Sequence, residues 1–203
     1  AMSKLISEYN ATGKIEAKTR AYKLSRKFIS YFSFATFILL FVFAEELGSL
    51  ILGDLQGGNT ITDVAFVIRC VSFAVLIVPH LSVAKGYLQG HEYVGPSSTA
   101  NLIEQVVRIF VILAGSYLCY KVLNGSLTLT IGIAVSGAFF GGLVAYYYLK
   151  RQINKNKKVL DLDRKLEKDD ISNKEIIKKI AIYAFPAIVL NLISSIYSFT
   201  DMV

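Results

Sequence analysis

Five long apolar runs, four of them separated by short polar segments, constrain this chain more than any other feature of its sequence. Phe28 to Ala44 carries no charge, Val64 to Val83 carries only Arg69, Leu102 to Leu118 carries only Glu104 and Arg108, and Leu127 to Leu149 carries none. A fifth run opens near Ile180 and continues through Pro186 and Asn191 to Asp201. Crossing a hydrocarbon core of about 30 Å takes roughly 20 apolar residues in a helix. A water-soluble domain rarely needs so many in series. The mean hydropathy of +0.50 agrees, and the fold class read from the pattern is an all-α polytopic membrane protein with five transmembrane helices.

The formal charge of +7 leaves nucleic acid, an anionic membrane surface and cytoplasmic loops all open. Its distribution decides among them. Lys14 to Lys27 holds six basic residues and Lys150 to Lys179 holds eleven, so 17 of the 22 lie in two segments between hydrophobic runs. These read as cytoplasmic loops by the positive-inside rule, with the amino end cytoplasmic and no nucleic-acid partner. The short turns at Gly53 to Thr60 and Tyr120 to Ser126 then face outward, and Lys85 to Ser98 forms a second cytoplasmic loop. Tyr146 to Tyr148 form an interfacial belt. Residues 1–27 are expected to be a cytoplasmic lead-in, helical with a break at Asn10, Thr12 and Gly13. Residues 28–149 hold four spans, 150–179 form a connector with heptad-like Leu160, Leu162 and Leu166, and 180–203 hold an incomplete fifth span. The opening lacks a signal-peptide pattern, and the sequence stops inside an apolar stretch, so the chain is expected to be a piece of a longer protein.

Charges inside spans are the candidate functional residues, because insertion of an arginine at membrane depth costs roughly 2.5 to 3.5 kcal/mol unless it meets water or protein. Two readings of Arg69 stand: a side chain that snorkels to the headgroups, or a cation facing a hydrated cavity that attracts an anionic substrate. Glu104 and Arg108 stand at i and i+4, which puts them on one helical face as a structural ion pair or, on the sharper reading, a substrate contact. Asp201 needs a cation, a proton or a basic partner, unless it lies exposed beyond the span. In the fourth span Ala134, Ala138 and Gly142 form one small-residue ridge and Gly137, Gly141 and Ala145 the next, a pattern for helix packing. Cys70 and Cys119 read as inert buried thiols, and His80 and His91 lack partners at metal-ligand spacing. No nucleophile with its base, phosphate-cradling glycine loop or carboxylate-rich metal motif is present, so no enzyme is read here.

The stretch Val67 to Ile112 resembles the polysaccharide-biosynthesis exporters of the multidrug/oligosaccharidyl-lipid/polysaccharide (MOP) flippase superfamily, nearest to lipid II flippases of the MurJ type and to stage V sporulation protein B. The resemblance rests on a loop motif, Lys85, Gly86, Tyr87, Leu88, Gln89 and Gly90, followed by Pro96 and the run Ile103 to Arg108. The opening SKLISEYNATGK is similar to the family's loop between its second and third spans. The resemblance implies a MATE-like bundle of two lobes around a cationic cavity. The first four spans here would belong to the amino lobe, 150–179 would join the lobes and residues 180–203 would open the carboxy lobe, with the remaining transporter helices outside this chain. It implies further that Arg69 makes the cavity positive for a polyprenyl-pyrophosphate-linked sugar and that Asp201 is a sodium ligand. Arginines thought to hold the pyrophosphate in the family lie mainly on spans absent here, so the substrate rests on kinship. The expected activity is export of a lipid-linked oligosaccharide, lipid II for peptidoglycan and the cell wall, across the bacterial plasma membrane. No cofactor is implied beyond a coupling cation, sodium or proton. A capsule, teichoic or O-unit repeat exporter stays open as an alternative, as does a cation-coupled drug antiporter. A membrane glycosyltransferase is disfavoured by the short external turns, and a pure scaffold by the charges inside spans.

Overall fold

The computed structural model describes residues 2–52, 60–160 and 171–200, apart from the side chains of Ala187, Ser198 and Phe199. Among the described residues seven α-helices form: α1 (Met2–Ala11), α2 (Ile15–Val42), α3 (Ala44–Leu52), α4 (Ile61–Gly90), α5 (Val94–Phe110), α6 (Leu127–Lys155) and α7 (Asn173–Thr200). Beyond Phe110 the α5 rod continues to Val122 with its hydrogen bonding widened to the π pattern over Val111–Gly115 and Leu118–Val122. Five helices, α2, α4, the extended α5, α6 and α7, are long and apolar enough to cross a membrane. The protein is a multi-pass, all-α membrane protein.

The amino-terminal break falls where the sequence places it. Leu5, Ile6 and Tyr9 form the buried stripe of the amphipathic α1, and Gly13 then adopts φ +70°, a left-handed conformation that costs other residues about 1–2 kcal/mol. The amides of Gly13 and Lys14 donate back to Asn10 O and Tyr9 O, closing the helix end at 3.2 and 2.9 Å. The basic lead-in beyond this turn is continuous with the first span, so α2 carries residues of both in one rod.

Two parts of the connector also turn out to be span helix. α6 runs without interruption to Lys155 and α7 begins at Asn173. Leu160 is fully buried, whereas Leu162 and Leu166 lie outside the described residues. The larger difference concerns Lys85 to Ser98, expected as a loop. α4 continues to Gly90, the chain reverses over three residues with Glu92 at φ 61°, and α5 starts at Val94. Pro96 is thus in the first turn of a helix, where its missing N–H is no loss, and it starts the helix rather than marking a loop.

α6 sits between α4 and α5, and the two small-residue ridges serve one neighbour each. A Cβ on Gly137 or Gly141 would meet the Arg108 or Glu104 carbonyl oxygen of α5 at 3.2 or 2.5 Å, and one on Gly142 would meet Ile77 of α4 at 2.9 Å. α2 lies against the other side of α4, with α3 near the start of α4 and α1 near its end, and α7 touches α1 and α2. The buried core gathers at one end of this bundle. Leu5, Tyr22, Leu81, Tyr87, Leu149 and Ile176, from five helices, all belong to it, while mid-span residues such as Phe34, Leu113 and Phe140 stay exposed. In lipid an apolar side chain gains little from burial, so the tight core forms where the helices leave hydrocarbon.

Candidate functional site

α4 carries a charged centre towards each end. Arg69 lies near its start and Lys85 near its finish, 16 residues apart, which at 1.5 Å per residue is about 24 Å. They cannot form one site.

Arg69 has a partner that sequence spacing did not reveal. Its Nη2 donates to Glu45 Oε1 of α3 at 3.0 Å, its Nε donates to Phe41 O at 3.4 Å, and its guanidinium lies 5.8 Å from the Phe41 ring centroid. A turn at Phe43 breaks α2 from α3 and sets Glu45 beside the start of α4. The Glu45 side chain is 59% exposed. Arg69 is therefore neutralised by a carboxylate that stays largely uncovered by the described residues.

The second centre brings Glu104 and Arg108 together as the i, i+4 spacing requires, and adds Lys85. Glu104 Oε1 accepts from Arg108 Nη2 and its Oε2 from Lys85 Nζ, both at 2.8 Å. Glu104 is the most buried of the three, with 11% of its side chain exposed. One carboxylate thus holds two cations, joining α4 to α5, and the cluster keeps a net charge of +1. Arg108 Nε is buried and has no hydrogen-bond partner among the described residues.

The rest of the motif is occupied with packing. A Cβ on Gly86 or Gly90 would collide with Met2 Cβ or Ile6 Cβ at 2.9 or 2.5 Å, so these glycines, four apart on α4, are the seat of α1. Tyr87 is buried and stacked on Tyr22 of α2 with centroids 4.1 Å apart, and its hydroxyl donates to Leu160 O at 3.4 Å. Gln89 Nε2 donates to Ser97 Oγ at 3.0 Å across the reversal. Lys85 alone reaches the charged centre.

Two polar junctions were not foreseen. At the start of α4, Thr60 and Asp63 form a reciprocal cap, and Asp63 Oδ1 also accepts from Thr128 Oγ1 of α6 at 2.7 Å. The signal was the Thr-x-x-Asp spacing of a capping box. At the opposite end Glu8 of α1 accepts from Lys179 and, at 2.6 Å, from the Tyr183 hydroxyl, both on α7. The Lys179 and Tyr183 hydrogen bonds hold the Glu8 carboxyl below its usual value of 4.5. Such a depressed group adds stability that is complete above 4.5 and is lost as pH falls through the lower folded value. Acidification below about pH 4.5 is expected to loosen α7 from α1. A Glu8→Gln variant should show no such acid step when a spin-label distance between the two helices is followed from pH 7 to pH 3.

Asp201 lies outside the described residues. Cys70 and Cys119 are free thiols, the second buried among its neighbours. His80 and His91 each turn Nδ1 towards the carbonyl oxygen four residues earlier, Leu76 at 2.9 Å and Tyr87 at 2.8 Å.

The family described as polysaccharide biosynthesis protein matches residues 1–203, the whole chain. The chain belongs to this family. Among its relatives is a protein of Bacillus subtilis (strain 168) named lipid II flippase MurJ, 31% identical over 99% of this chain and 38% of its own length. A second relative from the same organism, named uncharacterized membrane protein YabM, is 28% identical over 95% of this chain and 34% of its own length. The chain therefore spans little more than a third of the curated relatives it matches. No solved structure matches it significantly. Membership agrees with the resemblance carried by Lys85 to Gly90 and Ile103 to Arg108, and places the chain among MOP-type multi-pass proteins.

Proposed function

We propose that this chain supplies five spans of a flippase that moves a polyprenyl-pyrophosphate-linked cell-envelope precursor, lipid II foremost, across the bacterial plasma membrane by alternating access. The observation that carries this reading is the end-to-end family match together with 31% identity to a protein named lipid II flippase MurJ. No bond of the substrate is made or broken. The amino end is cytoplasmic, so that α2 and α6 place their basic ends on that side. The first four spans serve as the amino lobe, the segment after α6 as the link, and α7 as the first span of the carboxy lobe.

Within this scheme Arg69 is the cavity cation, and Glu45 is its counterion while no substrate is bound. An arginine is recognised well by phosphate oxygens, through charge-assisted and bidentate hydrogen bonds. A diphosphate can therefore displace a carboxylate that holds the guanidinium by a single hydrogen bond from an exposed position. The Lys85–Glu104–Arg108 cluster is the frame that keeps α4 and α5 together as the lobe moves. Asp201 serves as the cation ligand through which sodium or a proton couples the cycle, as the family resemblance implies.

Arg69→Gln in the natural full-length protein is expected to lower the flipping rate about tenfold, the value of a lost charge-assisted hydrogen bond of about 1.5 kcal/mol. Glu45→Gln should leave flipping intact or raise it, because it removes the competitor. The measurement is appearance of externally accessible lipid II in proteoliposomes. Unchanged flipping in Arg69→Gln would remove Arg69 from the cavity.

A further inference from the structure

A cleft of about 240 Å³ opens where α2 enters the apolar zone and α6 leaves it, with Ala84 of α4 also lining it. Lys23 and Arg26 come from α2, Lys150 from α6 and Lys157 from the turn just after it, and Tyr22 and Tyr146 supply aromatic walls. Among the described residues no carboxylate lines it. Arg26 lies 5.7 Å from the Tyr22 ring centroid, and among the described residues none of the four cations is paired with an acid. This differs from the two centres above, in which every cation meets Glu45 or Glu104. Four cations with no acidic partner among the described residues converge on one cleft and call for an anion.

Its depth indicates which anion. The four spans α2, α4, α5 and α6 run up and down in turn, so the start of α2 and the end of α6 lie at the same membrane face. On α2 the cleft residues are followed at once by Phe28, Tyr31 and Phe32, all more than 60% exposed. On α6 exposed Tyr147 stands three residues before Lys150. Cations with tyrosines just beyond exposed apolar side chains match the headgroup level of a bilayer, with acyl chains alongside the rings. We infer that this cleft binds the headgroup phosphate of a resident anionic phospholipid of that leaflet. The site is distinct from Arg69, which lies near the other end of the spans, and it requires only that the chain span a membrane, not that the flippase reading hold.

Native mass spectrometry of the full-length protein, titrated with dioleoylphosphatidylglycerol and dioleoylphosphatidylcholine, tests this. The wild type should bind the anionic lipid in preference. Arg26→Gln with Lys150→Gln should weaken that preference on the order of 30-fold, each basic residue at a membrane surface contributing about five- to sixfold. Lys27→Gln with Lys158→Gln, which changes the charge equally outside the cleft, should have little effect, and both double variants should melt like the wild type. Absence of preference in the wild type, or equal weakening by the two pairs, would overturn the assignment. So would displacement of the lipid by millimolar pyrophosphate, which marks a free-diphosphate site. A large gain in lipid binding on Asp161→Asn with Asp163→Asn would show the protein's own acidic segment as the occupant instead.

Discussion

Glu104→Gln is expected to destabilise the helix bundle by about 3 kcal/mol, the low end of the cost of removing one partner from a buried ion pair. The carboxylate is 8% exposed as a residue and satisfies two cations from two helices. Glutamine keeps one neutral acceptor oxygen and turns the other position into a donor, so Lys85 and Arg108 face one another with like charge and lose the carboxylate that offset it. Lys85 and Arg108 are partly exposed, 17% and 31% by side chain, which limits the penalty to the lower end of the range. Replacing all three charges together, as Lys85→Met, Glu104→Leu and Arg108→Met, should recover most of the loss, because the desolvation of three ions disappears with their attraction. Thermal unfolding of the full-length protein in detergent checks both. If the single and triple variants melt alike, the charges are not coupled.

Gly141→Leu should cost about as much by a different route. Even a methyl group at Gly141 would stand 2.5 Å from the Glu104 carbonyl oxygen and 3.4 Å from the Arg108 amide nitrogen. Both are backbone atoms of α5, and neither can swing aside. The helices must separate, and overpacking of this kind costs about 1–3 kcal/mol. Separation also pulls Glu104 from its place opposite Lys85, so the expected loss is about 3 kcal/mol, the top of that range. Gly95 is the control, since nothing lies within 4 Å of its would-be Cβ. Gly95→Ala should be neutral or stabilising by up to about 1 kcal/mol through helix propensity. The pair of melting curves separates a packing effect from a general dislike of substituted glycines.

What the sequence reveals about this chain follows from how lipid acts on a helix. A span must be long and apolar whatever it packs against, so all five helices were legible as runs of residues. The ridges on α6 were legible for a related reason: close backbone approach demands small residues at a fixed spacing, and Gly137, Gly141 and Gly142 meet α5 and α4 accordingly. Glu104 and Arg108 stand one turn apart, a distance that helical geometry alone dictates. The Lys85 to Gly90 motif was recognised but misplaced, because glycine is read as a breaker. Gly86 and Gly90 instead mark where α1 crosses a continuous helix. The pairings of Arg69 with Glu45 and of Glu8 with Lys179 connect residues 24 and 171 positions apart, and no local pattern encodes such contacts. The π-type widening of the α5 rod left no sign in composition. The lipid cleft draws one wall from each of two basic segments that read, in sequence, as a cytoplasmic lead-in helix and a connector, with nothing to bring them together.

Genetic replacement tests most directly the proposal that these helices belong to a lipid II flippase. The full-length protein would be expressed in cells depleted of their own lipid II flippase, with survival and externally accessible lipid II as readouts. Survival with restored external lipid II is the expected result. Continued lethality despite good membrane expression would contradict the claim and transfer these helices to an exporter of another envelope polymer.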